Sequence, residues 1–345
     1  EIGTGDWSSD VCSSVFWSVR RNPRSALSRW STLRPKTCFR NSRPAWGDSE
    51  SSIVVDKVSK VDTPLETTAF VYFGRADDPR FERKLKKISR ALTGSVAVYG
   101  MSFVPSRTEP GAIFQHAGVK RIHITYVDLQ GRYANLEAKC HAGTDWTIIP
   151  GNLDLVQMFC AEAFPGHEYY WFAEDDVAYS GDLAALINSL AADSSDVIAT
   201  NRRAIPPNWW HRQFLKLPQN SSADFEESIF LPFFRVSARF LALLYQLYEA
   251  GLSGHHEATW VWALDESGCT YSDLNAAAGR EVYTAQSHSI DLSPGSFVYR
   301  PVKILPGIRR NTLYHPVKGL REYVRDVRLR RQRARRRQRQ LNNNP

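Results

Sequence analysis

Three consecutive carboxylates, Glu174, Asp175 and Asp176, follow the aromatic run Tyr169-Tyr170-Trp171-Phe172-Ala173. Like charges gathered at one point repel unless a cation shares the site. Hard carboxylate oxygens suit magnesium or manganese, which complete their coordination with water and with the phosphate oxygens of a substrate. Aromatic residues favour a half-buried pleated surface, so the spacing predicts a strand over 168–173 that ends at the triplet. Open α/β sheets bind ligands in the crevice beyond the C-terminal ends of their strands, which is where these carboxylates then fall. The same triplet also fits a solvated loop or a helix N-terminus, where acidic groups complement the dipole. What comes next favours the crevice: Tyr179-Ser180-Gly181-Asp182 reads as a turn, and apolar residues at 183, 186, 187 and 190 predict a helix over Leu183–Leu190.

The elements that must position this triplet alternate along the chain. Ala69–Phe73 is an apolar, aromatic strand ending at Gly74, and the charged loop Arg75-Ala76-Asp77-Asp78-Pro79 follows it. Apolar residues at 81, 85, 88 and 92 then recur with the period of an amphipathic helix. Val96–Tyr99, Arg121–Val127 and Trp146–Ile149 read as further strands, and Leu153–Phe164 as a helix entered through the turn Pro150-Gly151-Asn152. Val197–Thr200 is the next strand, and Phe230–Phe240, with Arg235 inside it, reads as core. Strands alternating with helices predict an α/β fold with a mostly parallel central sheet and helices on both faces. No segment repeats.

Composition divides the chain into three zones, 1–66, 67–318 and 319–345. The first is rich in Ser, Arg, Trp and Pro and lacks sustained periodicity. Its opening stretch, Glu1 to Ser14, resembles translated read-through of a sequencing adapter and is set aside from fold reasoning; no apolar stretch of a secretory leader follows the early arginines. The middle zone, about 250 residues, is long enough to bury a substantial core. The last zone is basic: 321–339 holds ten arginines against Glu322 and Asp326, as large a net charge as the +8 of the entire chain. The remainder is therefore near neutral, and contact with nucleic acid or anionic lipid is an expectation for the tail alone. Five cysteines, at 12, 38, 140, 160 and 269, show no CxxC spacing and fit a reducing, cytoplasmic setting. No apolar run approaches the length of a membrane span.

The order of Trp146-Thr147-Ile148-Ile149-Pro150-Gly151-Asn152-Leu153-Asp154, the segment Tyr169 to Asp182, Gly254-His255-His256-Glu257 and Leu313-Tyr314-His315-Pro316-Val317-Lys318 resembles bacterial glycosyltransferases of the GT-A fold. The resemblance covers roughly 68–318. It implies a nucleotide-sugar-binding fold in which an acidic motif after the aromatic strand, the DxD element, holds Mn2+ or Mg2+ against the donor diphosphate. Carried over by position, Glu174 and Asp176 are the expected metal ligands, with His315 as a later one, and Asp176 sits at the reacting centre. Glu stands first where the motif has Asp, and Asp175 is an extra carboxylate, so which two of the three face the metal is left open. Gly74, Arg75, Asp77 and Asp78 fall where the nucleotide is held, with Asp175 beside them and Lys318 available to neutralise diphosphate charge.

An inverting glycosyl transfer also needs a base to remove the proton of the acceptor hydroxyl. Glu257 follows the flexible loop Gly251-Leu252-Ser253-Gly254 and stands at the start of an apolar helix-like stretch, Ala258–Leu264, a placement that presents a side chain. An acidic residue in a first helical turn also complements the dipole. His255 and His256 are placed to orient it or to touch substrate. The loop Arg202 to Arg212 concentrates Trp209, Trp210 and His211 with Arg202; indole faces stack on sugar rings, so these are the expected substrate contacts, although large aromatics also simply fill cores. The expected partners are a nucleotide-sugar donor, a glycan or lipid-linked acceptor, and anionic membrane met peripherally through 321–339. A metal-dependent phosphoesterase or nucleotidyltransferase would use the same carboxylates with a second ligand cluster. A nucleic-acid-binding protein would act through the tail.

Overall fold

The computed structural model describes residues 67–136, 139, 153–285 and 309–317, apart from a few positions within them, and a few isolated positions beyond 323. The strand expected at Trp146–Ile149, its neighbouring turn, Asp77, Lys318 and nearly all of the arginine tail lie outside the described residues.

An eight-stranded sheet organises the chain. Its strands are β1 (Thr68–Phe73), β2 (Ala97–Val104), β3 (Ala112–His116), β4 (Val119–Thr125), β5 (Tyr169–Glu174), β7 (Val197–Ala204), β8 (Glu227–Ser237) and β9 (Tyr271–Asp273). They lie side by side in the order β3-β4-β2-β1-β5-β8-β7-β9. Only β3 and β8 run against the other six, so the sheet is mostly parallel, as expected. A two-stranded ribbon pairs β6 (Ala178–Tyr179) with β10 (Leu313–Tyr314).

Alternation along β1 and β5 explains why both strands are so continuously apolar. Ala69, Val71, Tyr170 and Phe172 enter one core, while Phe70, Tyr72, Trp171 and Ala173 enter another on the opposite face. A strand buried on both faces shows no polar alternation. The first core is covered by α2 (Tyr126–Tyr133), α3 (Leu153–Ala163), α5 (Ala238–Glu249) and α6 (His256–Ser267), and the second by α1 (Pro79–Ala91), α4 (Leu183–Ser189) and α7 (Leu274–Ala277).

Local signals set the element ends. Asp78 caps α1 by accepting from the Arg80 N–H at 2.9 Å, with Pro79 at the first helical position, where its missing N–H costs nothing. Asp182 caps α4 in the same way through the Ala185 N–H at 3.1 Å. The strand expected over Arg121–Val127 stops at Thr125, because Thr125 and Asp128 form a reciprocal capping box that starts a helix at Tyr126. The core segment around Phe230 is a strand of 11 residues followed by a helix capped by Ser237. Its buried Arg235 donates to the Leu190 and Ser195 carbonyls and pairs with Asp193 at 3.4 Å.

Candidate active site

Glu174 is the last residue of β5 and lies beside Phe73 of β1 in parallel register. The two chains therefore leave the sheet at the same edge, Gly74-Arg75 next to Asp175-Asp176. The Val177 N–H donates to the Glu174 carbonyl at 3.1 Å and folds the triplet into a turn. Within that turn Asp175 faces β1 and α1: its carbonyl accepts from the Tyr72 hydroxyl at 3.3 Å and from the Lys84 ammonium. Glu174 and Asp176 face the other way, toward the chain that returns from the far end of the sequence.

That return is fixed by backbone pairing. Leu313 and Tyr314 of β10 pair with Tyr179 and Ala178 of β6, and the Leu313 N–H donates to the Val282 carbonyl at 2.8 Å. Ser180 fastens the crossing, its Oγ accepting from the Thr312 N–H at 3.0 Å and its N–H donating to the Thr312 carbonyl at 3.0 Å. The Val317 N–H closes on the Asp176 carbonyl at 2.6 Å. Between these anchors His315 is buried, with its ring edge-on to Phe230 at 5.2 Å. Its Nε2 lies 3.4 Å from Glu174 Oε2 and 3.2 Å from Asp176 Oδ1. Residues 139 positions apart in sequence thus share one point, and of the triplet it is the outer two that do so.

The electrostatics of this point are those of trapped negative charge. Burial alone would push His315 down, but the Asp176 and Glu174 carboxylates outweigh it and hold the imidazole up at about 9. Burial, and then the neighbouring Asp176 and Glu174 charges, push Asp175 up to about 7 against the opposing Lys84. Burial and the Asp175 charge likewise raise Tyr72, which keeps its phenol proton and donates it. One ligand atom from each of Glu174, Asp176 and His315 lies within 4.8 Å of the others, the only such group among the described residues. Two hard oxygens and one imidazole nitrogen, converging where β5 leaves the sheet, fit a divalent ion, and the imidazole suits manganese better than magnesium.

Glu257 approaches the same point from α6. It stands in the first turn, where the His255 side chain caps the helix by accepting the Glu257 N–H on Nδ1 at 3.3 Å. Its carboxylate is 14% exposed and accepts the Leu231 N–H of β8. Burial pushes it up to about 7, with Arg203 and His315 pulling down and Glu174 pushing up. The Glu257 carboxyl therefore lies within electrostatic reach of Glu174 and His315. His255 in turn is held well below the ordinary histidine range by burial and by the neighbouring His211, His256 and Lys139, so it stays neutral and keeps Nδ1 as an acceptor. The loop before it is not free, as its glycines suggest: Lys216 and Ser253 form a β-bridge, and Gly254, at φ 118°, packs where a Cβ would stand 2.6 Å from Leu215.

Other expected residues take different places. Gly74 does sit at the end of β1, but the space its missing Cβ leaves is filled by Phe81, 2.3 Å from where that atom would be, so its smallness serves packing of α1. Asp78 spends its carboxylate on the α1 cap and on the Arg80 guanidinium at 2.9 Å. Arg75 is half-buried just beyond the end of β1. Arg202 forms salt bridges with Glu227 at 2.6 Å and Asp265 at 2.8 Å, which turns it away from the role of substrate contact. Its neighbour Arg203 points to the other side, as successive strand residues do, and interacts with Glu257. A register shift in β7, with Asn201 at φ 55°, sets that direction. Nothing in composition marks Arg203 over Arg202; the bulge does. Trp209 is half-buried, edge-on to His211 at 5.2 Å and to His255 at 5.0 Å, which places this aromatic group beside the Glu257 helix. His211 and His256 are buried, and His256 stacks on His255 at 5.0 Å. The Trp210 side chain lies outside the described residues.

No family model and no curated relative matches the sequence. Among solved structures it is similar to mouse xyloside xylosyltransferase 1, at a TM-score of 0.34 and 10% identity over 61% of this chain and 85% of that one. It is also similar to a glycosyltransferase involved in glycosylation of the major capsid of PBCV-1, at 0.30 and 11% over 60% and 80%. A Bacillus anthracis protein described as a glucose-1-phosphate thymidylyltransferase matches at 0.30 and 9% over 64% and 98%. At these scores the likenesses carry no argument about activity. No helix among the described residues is long and apolar enough to cross a membrane.

Proposed function

We propose that this chain is a metal-dependent glycosyltransferase of GT-A type that moves a sugar from a nucleotide-diphosphate donor to a hydroxyl of a glycan or lipid-linked acceptor. The observation that carries the reading is the convergence of Glu174, Asp176 and His315 at one point, with the Glu257 carboxyl inside their electrostatic reach. Glu174, Asp176 and His315 would hold the divalent ion, Mn2+ in preference to Mg2+. Bound there, such an ion neutralises the negative charge that grows on the departing diphosphate oxygens.

The rest is done by the protein's own groups. The crevice beyond β1 and β5 receives the nucleotide, with Arg75 at its edge as a cation for the diphosphate. Lys84 and Tyr72 hold the Asp175 carbonyl, which keeps the turn from splaying under its own charge. Glu257 takes the proton from the acceptor hydroxyl onto a carboxylate oxygen. With its acidity near neutrality, a usable fraction is ionised and the proton transfer is not strongly uphill. Arg203 and the Leu231 N–H keep that fraction from vanishing in a buried setting. Trp209 offers an apolar ring face beside the base, suited to a sugar acceptor.

The test is turnover of a panel of nucleotide-sugars by the purified protein with and without Mn2+. Asp176→Asn is expected to abolish manganese-dependent hydrolysis of the donor while leaving the fold intact, and Glu257→Gln to retain donor binding but slow transfer. Metal dependence that is the same in Asp176→Asn and wild type removes the site; transfer that is undiminished in Glu257→Gln removes the base.

A further inference from the structure

Behind Glu257 lies a second pair of charges that the chemistry above does not use. Lys139 and Asp154 have no exposed side-chain surface, and their Nζ and Oδ2 atoms are 3.0 Å apart. Asp154, in the first turn of α3, also accepts the hydroxyl of Tyr248 from the last turn of α5. Tyr248 shares that hydroxyl with Thr259 Oγ1 of α6 at 3.2 Å, and the Lys139 ammonium sits 4.3 Å from the Tyr248 ring centre. Lys139 donates as well to the Gly254 carbonyl at 2.8 Å. Gly254 is the residue before His255, which caps the helix that carries Glu257.

Burying two charges is costly, and an apolar pair of similar volume usually holds a core equally well. What an apolar pair does not supply is a donor aimed at the Gly254 carbonyl. That carbonyl cannot be satisfied by ordinary helix pairing, since Gly254 precedes the cap and stands at φ 118°. With it fixed, the peptide leading into His255 has one orientation, and the imidazole keeps Nδ1 on the Glu257 N–H. The chain from Lys139 to the base is therefore continuous: ammonium, Gly254 carbonyl, His255 ring, Glu257 backbone.

We infer that Lys139, braced by Asp154, is a positioning residue for Glu257, acting through the Gly254 carbonyl and the His255 cap. The inference rests on the reading of Glu257 as the base, and its test separates the two. Lys139→Met alone strands a buried carboxylate and is expected to unfold the protein, so the decisive variant is Lys139→Met with Asp154→Leu, which removes both charges and leaves Tyr248 its bond to Thr259. The double variant is expected to melt near wild type, to bind Mn2+ and the nucleotide-sugar as wild type does, and to lose about tenfold to a hundredfold in kcat with KM for the donor unchanged, the scale of a displaced catalytic group. In nitrogen-15 NMR of the histidine rings, His255 is expected to leave its single neutral tautomer for a mixture. A folded double variant with wild-type kcat and a wild-type His255 signal overturns the inference, and so does a double variant that fails to fold, which would make the pair structural. If Glu257→Gln itself transfers at the wild-type rate, the base reading fails on its own, and the His255 signal alone decides whether Lys139 sets the cap.

Discussion

Replacing Glu257 by Gln should stabilise the protein, and the gain should grow with pH. The carboxyl is raised from its ordinary 4.5 to about 7 in the folded state, chiefly by burial. Between those values the folded form binds more protons than the unfolded form, so its stability falls as pH rises through that window. Above about pH 7 the full cost of keeping an ionised carboxylate buried is present; below about pH 4.5 both states are protonated and the cost is gone. The shift corresponds to roughly 3 kcal/mol, with little discount for solvent because the side chain is only 14% exposed. Gln keeps the shape and carries no charge to bury. In a domain of this size each kcal/mol moves the midpoint by about 2–4 °C, so the variant should melt on the order of 10 °C higher at about pH 8 and near wild type at about pH 4. Thermal melts followed by circular dichroism across that range, in EDTA to remove metal, measure the gap directly. A gap that does not change with pH, or a wild type that is the more stable form at high pH, refutes the claim that Glu257 is a strained, enclosed carboxylate. Together with slower transfer, the gain would show stability being given up for function at this position.

Three more outcomes follow from the same geometry. The kcat/KM for transfer should fall about tenfold per pH unit below about pH 7 as Glu257 takes up its proton, and a pH–rate series on Glu257→Gln should lack that limb. Ser180→Ala removes the hydroxyl that fastens 309–312 to the turn after β6, about 1 kcal/mol; because that segment delivers His315, Mn2+ affinity by isothermal titration should drop about fivefold with no ligand changed. Gly74→Ala places a methyl 2.3 Å from Phe81 Cδ2, and urea unfolding should show a loss of about 1–3 kcal/mol, without the selective effect on metal affinity expected of Ser180→Ala.

The strand–acidic turn–helix unit was legible because each part has a local cause: an aromatic run buried on both faces, a charge cluster at its end, and Asp182 as a cap. The same holds for α1, whose period and Pro79 mark it without help from the rest of the fold. His315 was reachable only through the resemblance, since a histidine between Tyr314 and Pro316 carries no local signal of a carboxylate 139 residues earlier. Arg203 was hidden by a bulge: two adjacent arginines read alike in sequence, and a register shift decides which one meets Glu257. Neither Lys139 nor Asp154 carries a local signal in the sequence, because burial of a charged pair depends on segments far apart in the chain coming together. The flexible reading of Gly251 to Gly254 erred for a related reason. Glycine permits unusual backbone angles, but here the angle allows close packing on Leu215 and pairing with Lys216.

The account depends on Glu174, Asp176 and His315 holding one divalent ion. Electron paramagnetic resonance of Mn2+ titrated into wild type and Asp176→Asn, with melting curves to show that both are folded, puts that to the test. One tightly held Mn2+ per chain in wild type, lost or weakened at least a hundredfold in Asp176→Asn, is the predicted result. Equal binding by the two proteins, or no bound Mn2+ in wild type even with nucleotide diphosphate present, would contradict it.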